Sequence, residues 1–261
     1  MPERTSYEPG TPSWVDLSTP DVDASARFYG ELFGWDAEEA GPAEETGGYR
    51  LFRLRGHRVA GVGPLMEEGQ AAVWSTYIST DDADAAVARA QDAGAAVMVE
   101  PMDVLEAGRF AFIMHPAGGI VGFWQPNQTM GAELVNEPGA LTWNELHTRD
   151  VEGAKAFYSA VFDWRAEDQS FGDMTYTVVY LGDKSIGGMM PMPPGVPDEV
   201  SAYWLAYFEV ADCDATEAKA QELGGSVTSP AMDAEGVGRF AGLADPHGTT
   251  FAVITSAQPD E

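Results

Sequence analysis

One cysteine, three lysines and no long apolar run are what this 261-residue chain has least of. A lone thiol, Cys213, excludes an intramolecular disulfide and a thiolate metal cluster within the chain. Its neighbours Asp212 and Asp214 would raise its pKa, so a buried or incidental cysteine is expected rather than a nucleophile. Lysine and arginine together number 14 against 42 acidic residues, a formal net charge of −28. Such a surface repels phosphate backbones and anionic lipid, so neither nucleic acid nor a membrane is expected as a partner. The acid excess suits solubility or salt tolerance; recruitment of a cationic ligand is the alternative. No segment approaches the roughly 18 apolar residues of a membrane span, and Met1-Pro2-Glu3-Arg4-Thr5 carries no apolar signal stretch. A soluble cytoplasmic protein is expected. Neither Gly-Lys-Ser nor Gly-Lys-Thr occurs, so the glycine-rich stretches form no phosphate loop.

What the chain does contain is one message written twice. Trp14, Asp16, Asp21, Phe28, Tyr29, Phe33 and Trp35 recur 129 residues later as Trp143, Glu145, Asp150, Phe157, Tyr158, Phe162 and Trp164. Tyr77, Asp82, Asp84, Gly108, Arg109 and Phe110 recur 130 residues later as Tyr207, Asp212, Asp214, Gly238, Arg239 and Phe240. A register held across half the chain means two copies of one domain, expected over residues 1–128 and 139–261 with a linker over 129–139. Each copy holds two strand–helix–strands units. In the first, alternation predicts a strand over Ser13–Ser18, and Pro20-Asp21 opens a helix that Gly34 stops. Strands follow over Tyr49–Leu54 and Val59–Leu65. The second unit has a strand over Val73–Ser79, a helix over Asp82–Ala93, and a hairpin of Arg109–His115 with Ile120–Gln125. The second copy repeats this with helices over Val151–Phe162 and Asp214–Leu223. Pro191–Pro197 reads as a stiff connector inside it.

Phrases such as Arg27-Phe28-Tyr29 followed by Phe33-Gly34-Trp35, and Gly108-Arg109-Phe110 followed by Pro116, resemble the vicinal oxygen chelate superfamily. That group holds glyoxalases, bleomycin-resistance proteins and extradiol dioxygenases. The chain is similar to the tandem-domain glyoxalase-like proteins of actinomycetes over about Thr11 to Ile254. The resemblance implies an α+β fold of two tandem domains, each a pair of βαβββ units forming a half-open β cup. In metal-dependent members, His, Glu or Gln from cup strands hold a divalent ion that polarises two vicinal substrate oxygens. At the positions the resemblance assigns to those ligands, this chain has Trp14, Ser75 and Gly122, then Trp143, Leu205 and Ala252. The usual metal set is therefore expected to be missing, and no cofactor is expected. A divalent ion at a relocated site built from Asp16, Glu145 and His147 is the alternative.

Strand alternation puts Trp14 and Asp16 on one face, with Trp143, Glu145 and His147 on the equivalent one, and turns Tyr77 and Tyr207 inward. Pairing across the last hairpins is expected to put Arg109 on the same face as Gly122, and Arg239 on that of Ala252. Each cup would then hold Trp, an acid, Tyr and Arg. That set suits a planar organic ligand with a charged tip, clamped by Arg; internal Asp16–Arg109 and Glu145–Arg239 ion pairs remain the competing reading. His57, His115 and His247 read as surface-turn residues. Three functions stay open: binding of a small aromatic or charged molecule in a cup, metal-dependent lyase or dioxygenase chemistry at the relocated site, and metal-free acid–base work by Tyr77 or Tyr207. A tandem repeat also mimics what single-domain relatives achieve by pairing, so a monomer with an internal pseudo-dimer, or a homodimer, is expected.

Overall fold

Strand β1 (Pro12–Thr19) sets the pattern of the molecule: Val15 and Leu17 point into the main core, and Trp14, Asp16 and Ser18 line the opposite face. The computed structural model describes residues 3–66, 69–171 and 174–257. After β1 come α1 (Val22–Phe33), β2 (Asp36–Glu39), a single-turn α2 (Ala43–Thr46), β3 (Arg50–Leu54) and β4 (His57–Pro64). The second unit runs β5 (Val73–Ser79), α3 (Ala83–Asp92), β6 (Ala96–Val104), β7 (Gly108–Met114) and β8 (Ile120–Pro126). The second repeat is β9 (Leu141–Thr148), α4 (Val151–Phe162), β10 (Arg165–Phe171), β11 (Met174–Leu181) and β12 (Lys184–Pro191). It closes with β13 (Tyr203–Glu209), α5 (Cys213–Glu222), β14 (Ser226–Ala234), β15 (Gly238–Ala244) and β16 (Thr250–Ser256). Helix boundaries follow their signals. Asp21 caps α1 by accepting from the Ala24 N–H, and Gly34 ends it in the left-handed conformation. Asp150 caps α4 in the same way through the Gly153 N–H.

Each repeat forms one eight-stranded sheet, ordered β2-β3-β4-β1-β5-β8-β7-β6 and β10-β11-β12-β9-β13-β16-β15-β14. Within a unit the first and last strands pair in parallel, and the two units join antiparallel through β1–β5 and β9–β13. This is the expected α+β arrangement of paired βαβββ units. The helices lie between the sheets. Phe28, Tyr29, Phe33 and Trp35 of the first repeat pack with Phe208 and Phe251 of the second, ring centroids 5.1 Å apart for Phe33 and Phe208. Their counterparts Phe157, Tyr158, Phe162 and Trp164 pack with Ile78, Ile113 and Phe123 of the first. Each such buried aromatic contributes on the order of 2 kcal/mol of hydrophobic stabilisation. At the centre, the Thr76 hydroxyl donates to Asn144 Oδ1 across the sheets at 2.9 Å.

With the helix layer inside, the other face of each sheet turns outward. In the first, Leu51 of β3, Phe110 and Phe112 of β7 and Trp124 of β8 gather with Trp14 and Tyr77, so the sheet curls into a cup. Trp14 and Trp143 therefore belong to cups on opposite sides of the molecule. Cys213 is buried at the start of α5, and burial, with Asp214 adding to it, pushes its thiol up to about 11. His115 departs from expectation: it is 1% exposed, packed on Phe157 and Tyr158 of the other repeat, with Nε2 accepting from the Gly119 N–H. Among the described residues no helix is long and apolar enough to cross a membrane.

Candidate functional site

The central strands place the site residues by register alone. Trp14 faces Tyr77 and Asp16 faces Ser75 across β1–β5; Trp143 faces Tyr207, Glu145 faces Leu205 and His147 faces Tyr203 across β9–β13. Tyr77 in turn lies beside Gly122, and Tyr207 beside Ala252. These aromatic and acidic residues therefore share their cup faces as the alternation required.

In the first cup Asp16 Oδ2 accepts from the Tyr77 hydroxyl at 2.9 Å and from Tyr49 at 3.2 Å, while the Trp14 indole N–H donates to Tyr49. Burial pushes the Asp16 carboxyl up to about 6, against the opposing pull of the two hydroxyl donors. The second cup repeats the scheme: Tyr207 donates to Glu145 Oε1 at 3.0 Å, and the Trp143 N–H donates to the Tyr176 hydroxyl at 2.8 Å. Tyr49 and Tyr176 were not among the sequence candidates. They are 127 residues apart, so the loop-length change within the first unit hides them from a search at 129 or 130. The strand glycine beneath each makes room for it: a Cβ on Gly61 would lie 1.8 Å from the Tyr49 hydroxyl, and one on Gly188 1.9 Å from that of Tyr176.

Two features separate the cups. Where the first has Ser18 and Val73, the second has His147 and Tyr203. His147 Nε2 meets Glu145 Oε1 at 2.6 Å, Nδ1 meets the Tyr203 hydroxyl at 3.1 Å, and the two rings stack. The linker is the other difference. Ala132 and Val135 pack on Trp14 and Tyr77, pinned by the Ala132 N–H to the Ser13 carbonyl and by the Arg58–Glu133 pair. Trp14 and Tyr77 are each 7% exposed beneath it, whereas Trp143 and Tyr207 remain half-buried.

Arg109 and Arg239 are not in the cups. Phe112 is the β7 residue opposite Gly122, so Arg109, three positions away, points to the helix side. There it holds Asp84 in the first turn of α3 and Asp103 on β6, at 2.8 and 2.9 Å. Arg239 holds Asp214 and Asp233 in the same way at 2.7 and 2.9 Å. The competing reading, internal Asp16–Arg109 and Glu145–Arg239 ion pairs, does not hold either, because both acids bond tyrosine hydroxyls instead. The relocated metal site also fails to assemble. Asp16 lies in one cup and the Glu145–His147 pair in the other. Among the described residues no three His, Cys, Asp or Glu side chains gather at ligating distance. The donors present do not fit a divalent ion, since Glu145 and His147 satisfy one another and two ligands leave the site incomplete. Burial and the adjacent acids hold the Tyr77 and Tyr207 hydroxyls well above their usual range, so they are donors to the acid rather than bases.

Two surface grooves, about 380 and 350 Å³, lie at the seam between the repeats, away from both cups. A family model described as the Glyoxalase/Bleomycin resistance protein/Dioxygenase superfamily matches residues 11–123 and again 130–253.

The chain belongs to that superfamily.

Among curated relatives of this superfamily member, a putative glyoxylase, CFP32, of Mycobacterium tuberculosis is 43% identical over 263 residues, covering 98% of this chain and 99% of that protein. The anthracycline biosynthesis protein DnrV of Streptomyces peucetius is 39% identical over 264 residues, covering 96% and 94%. Among solved structures, the Mn(II)-bound glyoxalase from Novosphingobium aromaticivorans superposes with a TM-score of 0.66 at 16% identity, covering 96% of this chain and 83% of that one. The 2,2',3-trihydroxybiphenyl 1,2-dioxygenase from Sphingomonas wittichii gives 0.66 at 13% identity, covering 96% and 92%. Identities this low speak to the fold alone, which is the vicinal oxygen chelate fold.

Proposed function

We propose that this superfamily member binds a planar, hydroxylated aromatic molecule in its second cup, gripping it with side chains rather than with a metal ion. The observation that carries this reading is the half-buried Trp143–Tyr207 platform standing over Glu145, His147 and Tyr203, while the linker covers the equivalent platform of the first cup. Aromatic stacking adds roughly 0.5–1.5 kcal/mol per ring pair beyond area burial. A ligand hydroxyl reaching an ionised acceptor adds about 1.5–3 kcal/mol. The name of the relative DnrV, an anthracycline biosynthesis protein, favours fused hydroxylated rings as the ligand class. Arg109 and Arg239, bound to their own aspartates outside the cups, have no part in the grip.

Isothermal titration of the metal-stripped chain with hydroxylated anthraquinones tests the reading. Saturable binding should weaken by about tenfold or more in Trp143→Ala, the scale of losing one stacking partner and its buried area. Absence of binding across the panel, or binding that returns only with added metal, would overturn it.

A further inference from the structure

A carboxylate only accepts hydrogen bonds, so with Glu145 ionised and His147 neutral the 2.6 Å contact between them assigns the imidazole proton to Nε2. Nδ1 is then the unprotonated nitrogen, and the 3.1 Å contact there is the Tyr203 hydroxyl donating to it. Tyr203 is half-buried at the end of this line, while His147 is 6% exposed and Glu145 5%. The line therefore runs from the cup space through one hydroxyl to a buried base already seated against an anion.

We infer that the second cup ionises a hydroxyl group of its ligand by passing the proton through Tyr203 to His147. The inference rests on the ligand-binding reading of this cup. The ligand O–H bond breaks as its proton goes to the Tyr203 oxygen, and the Tyr203 proton moves to His147 Nδ1. The ligand is left as an oxyanion that accepts from Tyr203, and His147 becomes an imidazolium paired with the Glu145 carboxylate. No oxidant or second reactant is needed, and the site gains no net charge. Glu145 is here a positioning residue, fixing the tautomer and compensating the imidazolium.

Burial, and then the charge of Glu145, raise the Tyr203 hydroxyl above its usual range, so it passes a proton on rather than standing ionised. Besides Tyr203, His147 meets Glu145 on its own strand, and Tyr207 on β13 and Tyr176 on β11 gather on that Glu145 carboxyl. The β12 neighbours at this level, Gly188 and Met190, carry no charge. The first cup has Ser18 and Val73 in place of His147 and Tyr203 and cannot form the relay.

Alizarin, a dihydroxyanthraquinone whose colour reports its ionisation, separates the two claims. Equilibrium dialysis gives the bound fraction and an absorbance titration of the full chain with bound dye gives its ionisation. An apolar cup alone would raise the pKa of a phenol. The relay should instead raise the ratio of ionised to neutral bound dye about tenfold over free dye at the same pH, one unit of pKa. With ionisation read only on the dye that equilibrium dialysis shows to be bound, His147→Gln and the milder Tyr203→Phe should each lose that shift, at whatever affinity they retain. Dye that binds yet ionises as in solution, or a shift retained in both variants, would sink the relay and leave the binding reading intact. Dye that does not bind removes both.

Discussion

Asp16 and Glu145 occupy equivalent places and are handled alike, each a carboxylate bonded by tyrosine hydroxyls over a glycine that leaves them room. Asp16 shows what this costs. Burial lifts its folded pKa from 3.8 to about 6. The folded chain thus holds the proton more tightly than the unfolded one, so the stability linked to this group is complete below about pH 4 and is lost as the pH rises through 6. Two units amount to no more than about 3 kcal/mol. Asp16→Asn keeps an acceptor for Tyr49 and Tyr77 without the charge. It should therefore melt higher than the parent at about pH 7 and about equally at pH 4; an equal melting temperature at both would contradict the assignment. The central pairings Trp14–Tyr77 and Trp143–Tyr207 were legible because strand parity alone fixes them. Tyr49 and Tyr176 were not, because their spacing departs from that of the flanking repeat segments.

At the scale of elements, the buried strands and all four long helices were readable from periodicity and caps, with β5 and α4 matching to the residue. The strands that escaped, β2, β6, β10 and β14, are the four sheet edges. β2 is three acidic residues and an alanine, all exposed, and β6 and β14 are half-exposed along their length, so no buried apolar face marks them. Reading the β7–β8 and β15–β16 hairpins one register out is what put Arg109 and Arg239 in the cups, since an odd shift exchanges the faces of a strand. In the observed register these arginines tie the first turns of α3 and α5 to the sheet edge. Arg239→Gln should leave ligand affinity in the second cup unchanged while speeding amide exchange in the first turn of α5 and in β14. A substantial loss of affinity would return this arginine to the site.

For the whole molecule, the tandem repeat was plain in the sequence, and with it the α+β architecture. What the repeat could not show is how the copies face each other. Their helices interleave between the two sheets, so the cups open on opposite sides and Asp16 cannot meet Glu145 and His147 around one ion. Nor could it show that the linker would fold back over the first cup, because Ala132 and Val135 acquire their partners only in the folded chain. The copies have in this way diverged: one platform is covered by the chain itself, and the other is half-buried beside a histidine and tyrosine that the first lacks. Binding stoichiometry of a hydroxyanthraquinone, measured by equilibrium dialysis on the metal-stripped chain, reads out that divergence. One molecule per chain, with binding lost in Tyr207→Ala and kept in Tyr77→Phe, is the expected result. Two molecules per chain, or binding that follows Tyr77 rather than Tyr207, would contradict it.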